Sequence, residues 1–158
     1  MSLVLATRAL GIAGFAASLS APYCLRPPLS HADEKSQRLM AYFGRGVYLT
    51  VQTNAVNLVY FTVSLSATLT GWASLQSATD AGFPLAFALG SLLTPLYYSA
   101  DHFNPMHVER NRQHKEKGFR WCELADHVEH AHATPLLLLE VRQSPLRRAL
   151  EVRHLSLD

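Results

Sequence analysis

The chain has 158 residues, a formal net charge of +2 and 49% hydrophobic residues, and this length predicts a single domain over residues 1–158. Its 14 Lys and Arg residues are spread over several loops and are not interleaved with aromatic residues, so we predict no nucleic-acid partner. The charges are instead segregated, because residues 46–79 and 81–100 contain no Asp, Glu, Lys or Arg. An ionised side chain at the centre of a bilayer costs about 2.5–3.5 kcal/mol on insertion scales. The segregation therefore predicts a membrane protein.

The first apolar stretch covers residues 3–22 and is interrupted only by Arg8. It is long enough to cross a bilayer, but a cleaved signal peptide is an alternative, since SLSA before Pro22 resembles a cleavage site. No charge precedes Arg8 and further apolar segments follow, so we favour a retained first membrane helix. A polar loop, 23–45, separates it from the next segment.

The second predicted membrane helix, 47–70, has an unusual number of polar residues. Its 24 residues would rise about 36 Å as a helix, against about 30 Å of hydrocarbon. Thr50, Asn54 and Asn57 are spaced i, i+4, i+7 and so share one face. A polar stripe in a lipid-solvated helix must face protein or water. Hydrogen bonding between helices is the simplest explanation of the stripe, and a functional site is the alternative.

The third predicted membrane helix covers 82–100 and should be kinked at Pro95. Tyr97 and Tyr98 near its end are typical of the aromatic belt at a membrane interface. The charged stretch that follows, 101–123, is predicted to be a long solvated loop.

The last apolar run, 135–141, is too short to cross a bilayer alone. It becomes long enough only when 124–134 belongs to the same helix, so we predict a fourth helix over 124–141 and a basic tail over 142–158. The sequence thus predicts an all-α polytopic membrane bundle of four hydrophobic helices. Ionisable residues in a membrane helix normally face a cavity, pair with each other and mark function. Those in the first half of this helix are Asp126, His127, Glu129, His130 and His132.

Three interpretations of the histidine cluster remain open at this point. His127 and His130 lie on one helical face and form a workable metal-binding pair. Further ligands would come from Asp126, His102 or His107. A membrane di-iron enzyme would need several such clusters, and only one is present, so we predict no metal and no cofactor. In the second interpretation one histidine is a general base for a hydroxyl nucleophile, and in the third the cluster is a solvated interfacial stretch.

Two local patterns resemble the family of the androgen-induced protein and the androgen-dependent TFPI-regulating protein. In GRGVYLTVQTNAVNLVYF, the resemblance is carried by Gly44, Arg45, Tyr48, Leu49 and Thr50. In HVEHAHATPLLLLE, it is carried by His127, His130, Pro135 and Glu140. The intervening FPLAFALGSLLTPLYY is similar to a membrane helix of that family, and the order agrees from about residue 40 to 141.

The resemblance implies a multipass membrane hydrolase that cleaves fatty acid esters of hydroxy fatty acids with a threonine nucleophile and a histidine. By motif position the nucleophile would be Thr50 and the base His130, with His127 as a structural partner. Asn54, one turn from Thr50, is a candidate donor to the oxyanion. The expected partners are a lipid ester substrate and the bilayer, in an endomembrane or the plasma membrane.

The family continues with further membrane helices after the Pro–Leu run, whereas this chain has 17 residues after position 141. We therefore expect a short or C-terminally truncated member. The alternative function is a non-catalytic membrane adaptor or regulatory protein of the same family, in which Thr50 and His130 only pack.

Overall fold

The computed structural model describes residues 2–25 and 48–143. Within these ranges the chain is helical apart from short turns and contains no strand, which confirms the all-α fold class. The elements are α1 (Leu3–Leu25), α2 (Leu49–Thr70), α3 (Ala73–Leu96), a π-helical turn (Tyr97–Asp101), α4 (Pro105–Glu116), α5 (Cys122–His130) and α6 (Ala133–Gln143). The predicted loop after residue 25, Gly44 and Arg45 of the first motif, and the basic tail from residue 144 onward lie outside the described residues.

The third helix begins earlier than predicted. It starts at Ala73 rather than at residue 82, because α2 ends at Thr70 and the next residue, Gly71, has φ of +68° and caps the helix by donating its N–H to the Ala67 carbonyl. Asp80 does not interrupt α3, since it lies on an exposed face and accepts a hydrogen bond from Gln76 one turn earlier. The connection between α2 and α3 is therefore two residues, which makes them antiparallel neighbours.

The predicted solvated loop 101–123 contains a helix, so that prediction was wrong. α4 begins where the Asn104 side chain accepts a hydrogen bond from the backbone N–H of Met106, with Pro105 at the first helical position. Asn before Pro is a strong start signal for a helix. The high charge of the stretch concealed it, because α4 keeps its charged side chains in solvent.

The predicted fourth helix, 124–141, is also wrong as a single element, because it breaks into α5 and α6 at residues 131–132. Pro135 has no N–H for the carbonyl of Ala131, and its ring crowds that carbonyl. The Thr94 hydroxyl enters the gap: it donates to the His130 carbonyl and accepts from the Thr134 N–H at 3.4 Å. A side chain inserted in the backbone ladder is a common cause of a helix break.

The helices form a ring of four neighbours, in which α5 and α6 together count as one. α1 packs against α2, α2 against α3, α3 against α6, and α5 with α6 closes the ring against α1. Two glycines allow the closest approaches: a Cβ at Gly11 would lie 2.4 Å from Phe61 Cδ1, and one at Gly90 would lie 2.2 Å from Leu137 Cδ1. The first residues of α2 and the last residues of α5 meet at one end of this bundle.

The interior of the bundle is unusually polar and its surface unusually apolar. Among the described residues, two helical stretches, Leu3–Ala21 and Ala73–Asp101, are long and apolar enough to cross a membrane by length and composition. The buried polar residues of the long helices include Thr7, Arg8, Ser18, Thr53, Asn54, Asn57, Ser64 and Thr79. The exposed large apolar residues include Leu10, Val59, Leu69, Leu85, Leu92 and Leu138.

Candidate active site

Thr50 and His130, which are 80 positions apart in the sequence, are in hydrogen-bond contact. Thr50 is the second residue of α2 and His130 is the last residue of α5, and Thr50 Oγ1 lies 3.1 Å from His130 Nε2. His130 is buried, with 9% of its surface exposed, whereas Thr50 is half-buried at the end of the bundle. The structure thus brings together the two residues that the family resemblance singled out.

The other ring nitrogen of His130 fixes the direction of this hydrogen bond. Nδ1 lies 2.7 Å from the carbonyl oxygen of Asp126, one turn earlier in α5. A carbonyl can only accept, so Nδ1 carries the proton and donates it. In the neutral imidazole, Nε2 is then the acceptor and takes the hydrogen bond from the Thr50 hydroxyl. This is the arrangement of a general base with its hydroxyl.

Tyr97 holds the His130 ring from one side. Its ring is parallel to that of His130 within 8°, with 4.0 Å between ring centroids. Tyr97 is buried and begins the π-helical turn after α3. The prediction that Tyr97 belongs to an exposed aromatic belt was therefore wrong. π-Helical turns occur frequently at functional sites because they re-aim side chains.

Pro95 accounts for part of the irregular backbone beside this stack. It leaves the carbonyl of Ser91 without its intrahelical donor. The Thr134 hydroxyl of α6 lies 3.4 Å from that carbonyl and 3.2 Å from the carbonyl of Gly90. The end of α3 is therefore fixed by polar contacts to the break between α5 and α6.

A polar cluster from α4 supports Asp126 from behind. The Asp126 carboxylate accepts from His107 Nε2 at 2.9 Å and from Asn111 Nδ2 at 2.7 Å, and all three side chains are buried. The helix that sequence reasoning missed therefore orients α5, whose backbone carbonyl orients His130. The Asn–Pro helix start at residue 104 was the available signal for it.

Asn54 and His127 lie close to the pair in different ways. Asn54 is almost fully buried and its side-chain N–H donates to the Glu129 carbonyl at 3.1 Å, so it joins α2 to α5 below Thr50. His127 Nδ1 lies 2.8 Å from the hydroxyl of Tyr98, and its ring stacks on that tyrosine. His127 therefore faces the tyrosines of the π-helical turn.

The residues considered as metal ligands are engaged in pairs with other partners. Within residues 2–25 and 48–143, no group of three or more His, Cys, Asp or Glu is placed to hold a metal ion. His107 pairs with Asp126, His102 bonds Tyr97, and His127 and His130 have the contacts described above. The metal interpretation gains no geometric support.

Glu140, the last residue of the second motif, lies at the opposite end of the bundle. Its Oε1 accepts from Arg8 Nε at 3.0 Å and from Arg8 Nη2 at 2.7 Å, and the Tyr60 and Ser64 hydroxyls each lie 3.3 Å away. The pair is buried and joins α1 to α6. Arg8, the only charge in the first apolar stretch, is therefore neutralised inside the bundle.

The amino-acid sequence matches no known protein family model and no curated protein, and the fold matches no solved structure.

Proposed function

We propose that this chain is a membrane hydrolase in which Thr50 is the nucleophile and His130 the general base. The observation that carries the proposal is the 3.1 Å contact from Thr50 Oγ1 to His130 Nε2, together with the Nδ1 hydrogen bond that leaves Nε2 as the acceptor. A threonine hydroxyl is a weak nucleophile unless an adjacent base takes its proton. Here an imidazole nitrogen lies within hydrogen-bond distance of the hydroxyl, and the Nδ1 bond to the Asp126 carbonyl leaves that nitrogen as the acceptor.

The chemistry follows the usual course of acyl transfer. His130 Nε2 accepts the proton as Thr50 Oγ1 bonds to the ester carbonyl carbon, which gives a tetrahedral oxyanion. The oxyanion collapses with cleavage of the bond to the alkoxy oxygen, which takes the proton from Nε2 and leaves as an alcohol. Water, deprotonated by the same nitrogen, then attacks the acyl-threonine carbonyl. The second tetrahedral intermediate collapses with cleavage of the bond to Thr50 Oγ1, which takes the proton back from Nε2, and the fatty acid is released.

We assign stabilisation of the oxyanion to the first turn of α2 rather than to Asn54. The first N–H groups of a helix have no intrahelical partner and lie at the positive end of the helix dipole. Thr50 is in that turn, and the Tyr48 side chain does not cap it. The Asn54 amide, in contrast, is buried and already donates to the Glu129 carbonyl.

The distribution of polarity supports a multi-pass membrane bundle. The polar stripe of α2 faces the interior, since Thr53, Asn54, Asn57 and Ser64 are all buried, while Val59 and Leu69 of the same helix are exposed. Polar groups facing the interior and leucines facing outward satisfy the demands of a lipid solvent. In this arrangement α1 is retained as a membrane helix, because its Arg8 is paired with Glu140 inside the bundle.

The proposed substrate class is fatty acid esters of hydroxy fatty acids, reached through the bilayer. It rests on the resemblance described above, and the contact between the threonine of the first motif and a histidine of the second supports it. Thr50 lies at the end of the bundle, where an ester carried by acyl chains in lipid can approach from the side.

The direct test is hydrolysis by the full chain purified in detergent. We expect turnover of a hydroxy-fatty-acid ester and covalent labelling by a fluorophosphonate probe, both lost in Thr50→Ala and His130→Ala. Thr62→Ala is the matched control, since Thr62 is exposed on the same helix and bonds only the Leu58 carbonyl. Full labelling and turnover in Thr50→Ala would contradict the proposal.

A non-catalytic membrane adaptor or regulator is the second candidate. It is favoured by the Asn54–Glu129 bond one turn from the pair, which shows that this face of α2 also packs through interhelical hydrogen bonds. In that case wild-type protein shows no labelling, and both substitutions only lower the thermal unfolding midpoint.

A further inference from the structure

A cavity of about 350 Å³ lies beside the Thr50–His130 pair and has no role in the chemistry described above. Tyr97 connects the two, because one face of its ring stacks on His130 and the residue also lines the cavity. The lining residues are Tyr97, His102, Phe103, His107, Val108, Asn111, Glu123 and His127.

Two histidines of the lining have one ring nitrogen free. His102 Nδ1 lies 3.1 Å from the Tyr97 hydroxyl and His127 Nδ1 lies 2.8 Å from the Tyr98 hydroxyl, with 5.1 Å between the two histidine ring centroids. Within the described parts of the chain, neither Nε2 has a hydrogen-bond partner.

The tyrosine hydroxyls determine what those free nitrogens offer. A phenol is a better donor than a neutral imidazole N–H, and an imidazole nitrogen is a better acceptor than a phenol oxygen, so each hydroxyl donates to Nδ1. The ring proton is then on Nε2 in both histidines. Two N–H donors without protein acceptors therefore belong to one cavity.

The other polar groups of the lining are already committed. The Glu123 carboxylate pairs with the Lys115 ammonium at 2.6 Å, and His107 and Asn111 both bond Asp126. Phe103 and Val108 supply apolar wall. A ligand that suits this cavity has oxygen atoms that accept from the two Nε2–H groups, and an apolar part that packs against Phe103 and Val108.

We propose that the cavity binds an anionic oxygen group, a carboxylate or a phosphate, through the Nε2–H groups of His102 and His127. Resting on the proposed hydrolase function, the site holds the acidic end of a substrate or product while the ester lies at Thr50. The binding itself is independent of turnover.

The test is displacement of a fluorescent C16 fatty acid from the 158-residue Thr50→Ala chain in zwitterionic detergent, a variant chosen to prevent turnover. The competitors are palmitate, hexadecyl phosphate, inorganic phosphate, methyl palmitate and hexadecyltrimethylammonium. Partition into micelles is the same for every variant, so differences between variants report the protein site. Palmitate or hexadecyl phosphate should displace the probe, and the better of the two identifies the source of the anion.

His102→Phe and His127→Phe should each weaken this binding by about tenfold or more, since each removes a hydrogen bond to a charged group. His114→Phe is the control, because His114 is half-buried on α4 and does not line the cavity. Tyr98→Phe keeps both imidazoles but removes the hydroxyl that bonds His127 Nδ1, so the ring proton of His127 is no longer held on Nε2. This variant should therefore weaken binding less than His127→Phe. Each substitution is also made in the chain that keeps Thr50, where fluorophosphonate labelling reports folding. If that chain is not labelled, far-UV circular dichroism reports folding instead.

Equal displacement by methyl palmitate, displacement by hexadecyltrimethylammonium, or unchanged affinity in both His→Phe variants would overturn the site. Loss of hydrolysis with intact palmitate binding would count against the proposed function alone.

Discussion

The two ends of the bundle each hold a polar cluster, and the two clusters differ in burial and in the number of hydrogen bonds they make inside the bundle. At one end, Arg8 and Glu140 are buried, and the Arg8 guanidinium bonds the carboxylate, the Ser64 carbonyl and the Thr68 hydroxyl. At the other end, Thr50 is half-buried and its hydroxyl lies 3.1 Å from His130 Nε2. A cluster with its donors consumed inside the bundle holds helices together, whereas one with a reactive hydroxyl at the rim can meet a substrate. The two ends should therefore respond differently to substitution.

The largest effect is expected on activity at the Thr50 end. Thr50→Ala and His130→Ala should each lower hydrolysis on the order of 10³-fold or more, because nucleophile and base act as a unit. In Thr50→Ala stability should fall by only about 1 kcal/mol, the net contribution of one hydrogen bond, whereas His130→Ala should cost more because it also removes a buried ring that stacks on Tyr97. Turnover and thermal unfolding in the same detergent check both values. If Thr50→Ala lost several kcal/mol of stability together with its activity, this pair would belong with Arg8 and Glu140 as a contact that holds helices together.

The largest effect on stability is expected at the other end. Glu140→Ala should destabilise the bundle by about 3–5 kcal/mol, because it leaves the Arg8 charge buried without its partner. The Arg8→Met, Glu140→Leu double variant should recover most of that loss, since no charge then remains unpaired. Unfolding in mixed micelles measures the series. Equal destabilisation in the single and double variants would show that packing, rather than charge pairing, dominates at this end.

An intermediate effect is expected midway between the two ends. Gly90→Ala should cost about 1–3 kcal/mol, because the added Cβ would lie 2.2 Å from Leu137 Cδ1 and the fully buried Leu137 side chain has little room to move away. Gly82→Ala, on the same helix, is the control: its Cβ would meet only Tyr60 at 3.9 Å, so the better helix propensity of alanine should slightly stabilise it. A neutral Gly90→Ala would mean that the two helices are less closely packed than described.

The smallest effect is expected at the junction that links the helix break to the candidate site. Thr94→Val removes the hydroxyl between the His130 carbonyl and the Thr134 N–H, and should cost about 1–2 kcal/mol. Because that carbonyl belongs to the base, turnover should fall as well, whereas Ser91→Ala on the same helix should leave turnover unchanged. Thermal unfolding and turnover of both variants make the comparison, and a stable Thr94→Val with full activity would separate the break from the site.

Local pattern predicted α1 and α2 well, because long apolar stretches with at most one charged residue, bounded by polar segments, leave little choice of structure. It failed on α4 and on the fourth helix. In the first case the many charged residues of 101–123 suggested a loop, although Asn104 and Pro105 are a helix start signal. In the second, the Leu run after Pro135 suggested a continuous helix, although Pro135 favours a break that Thr94 of another helix then stabilises.

The candidate site divides in the same way. The pattern singled out Thr50 and His130 as chemically unusual, and the resemblance gave them roles, but neither could show that the two side chains meet. Tyr97 stacks on His130 from outside α5, and His107 of α4 bonds the Asp126 carboxylate of α5, one turn before His130. Such contacts depend on helix register and rotation, which have no signature in a single sequence.

The pairing of the half-buried Thr50 with His130 thus depends on both local sequence and tertiary structure. The sequence by itself determined that the chain is helical, that its long segments are apolar outside and polar on one stripe, and that a histidine cluster follows, because side-chain chemistry and helical periodicity are local properties. Only the tertiary structure decided which polar groups pair. The break at residues 131–132, the π-helical turn and the packing of α4 on α5 together set the ring of His130 against Thr50.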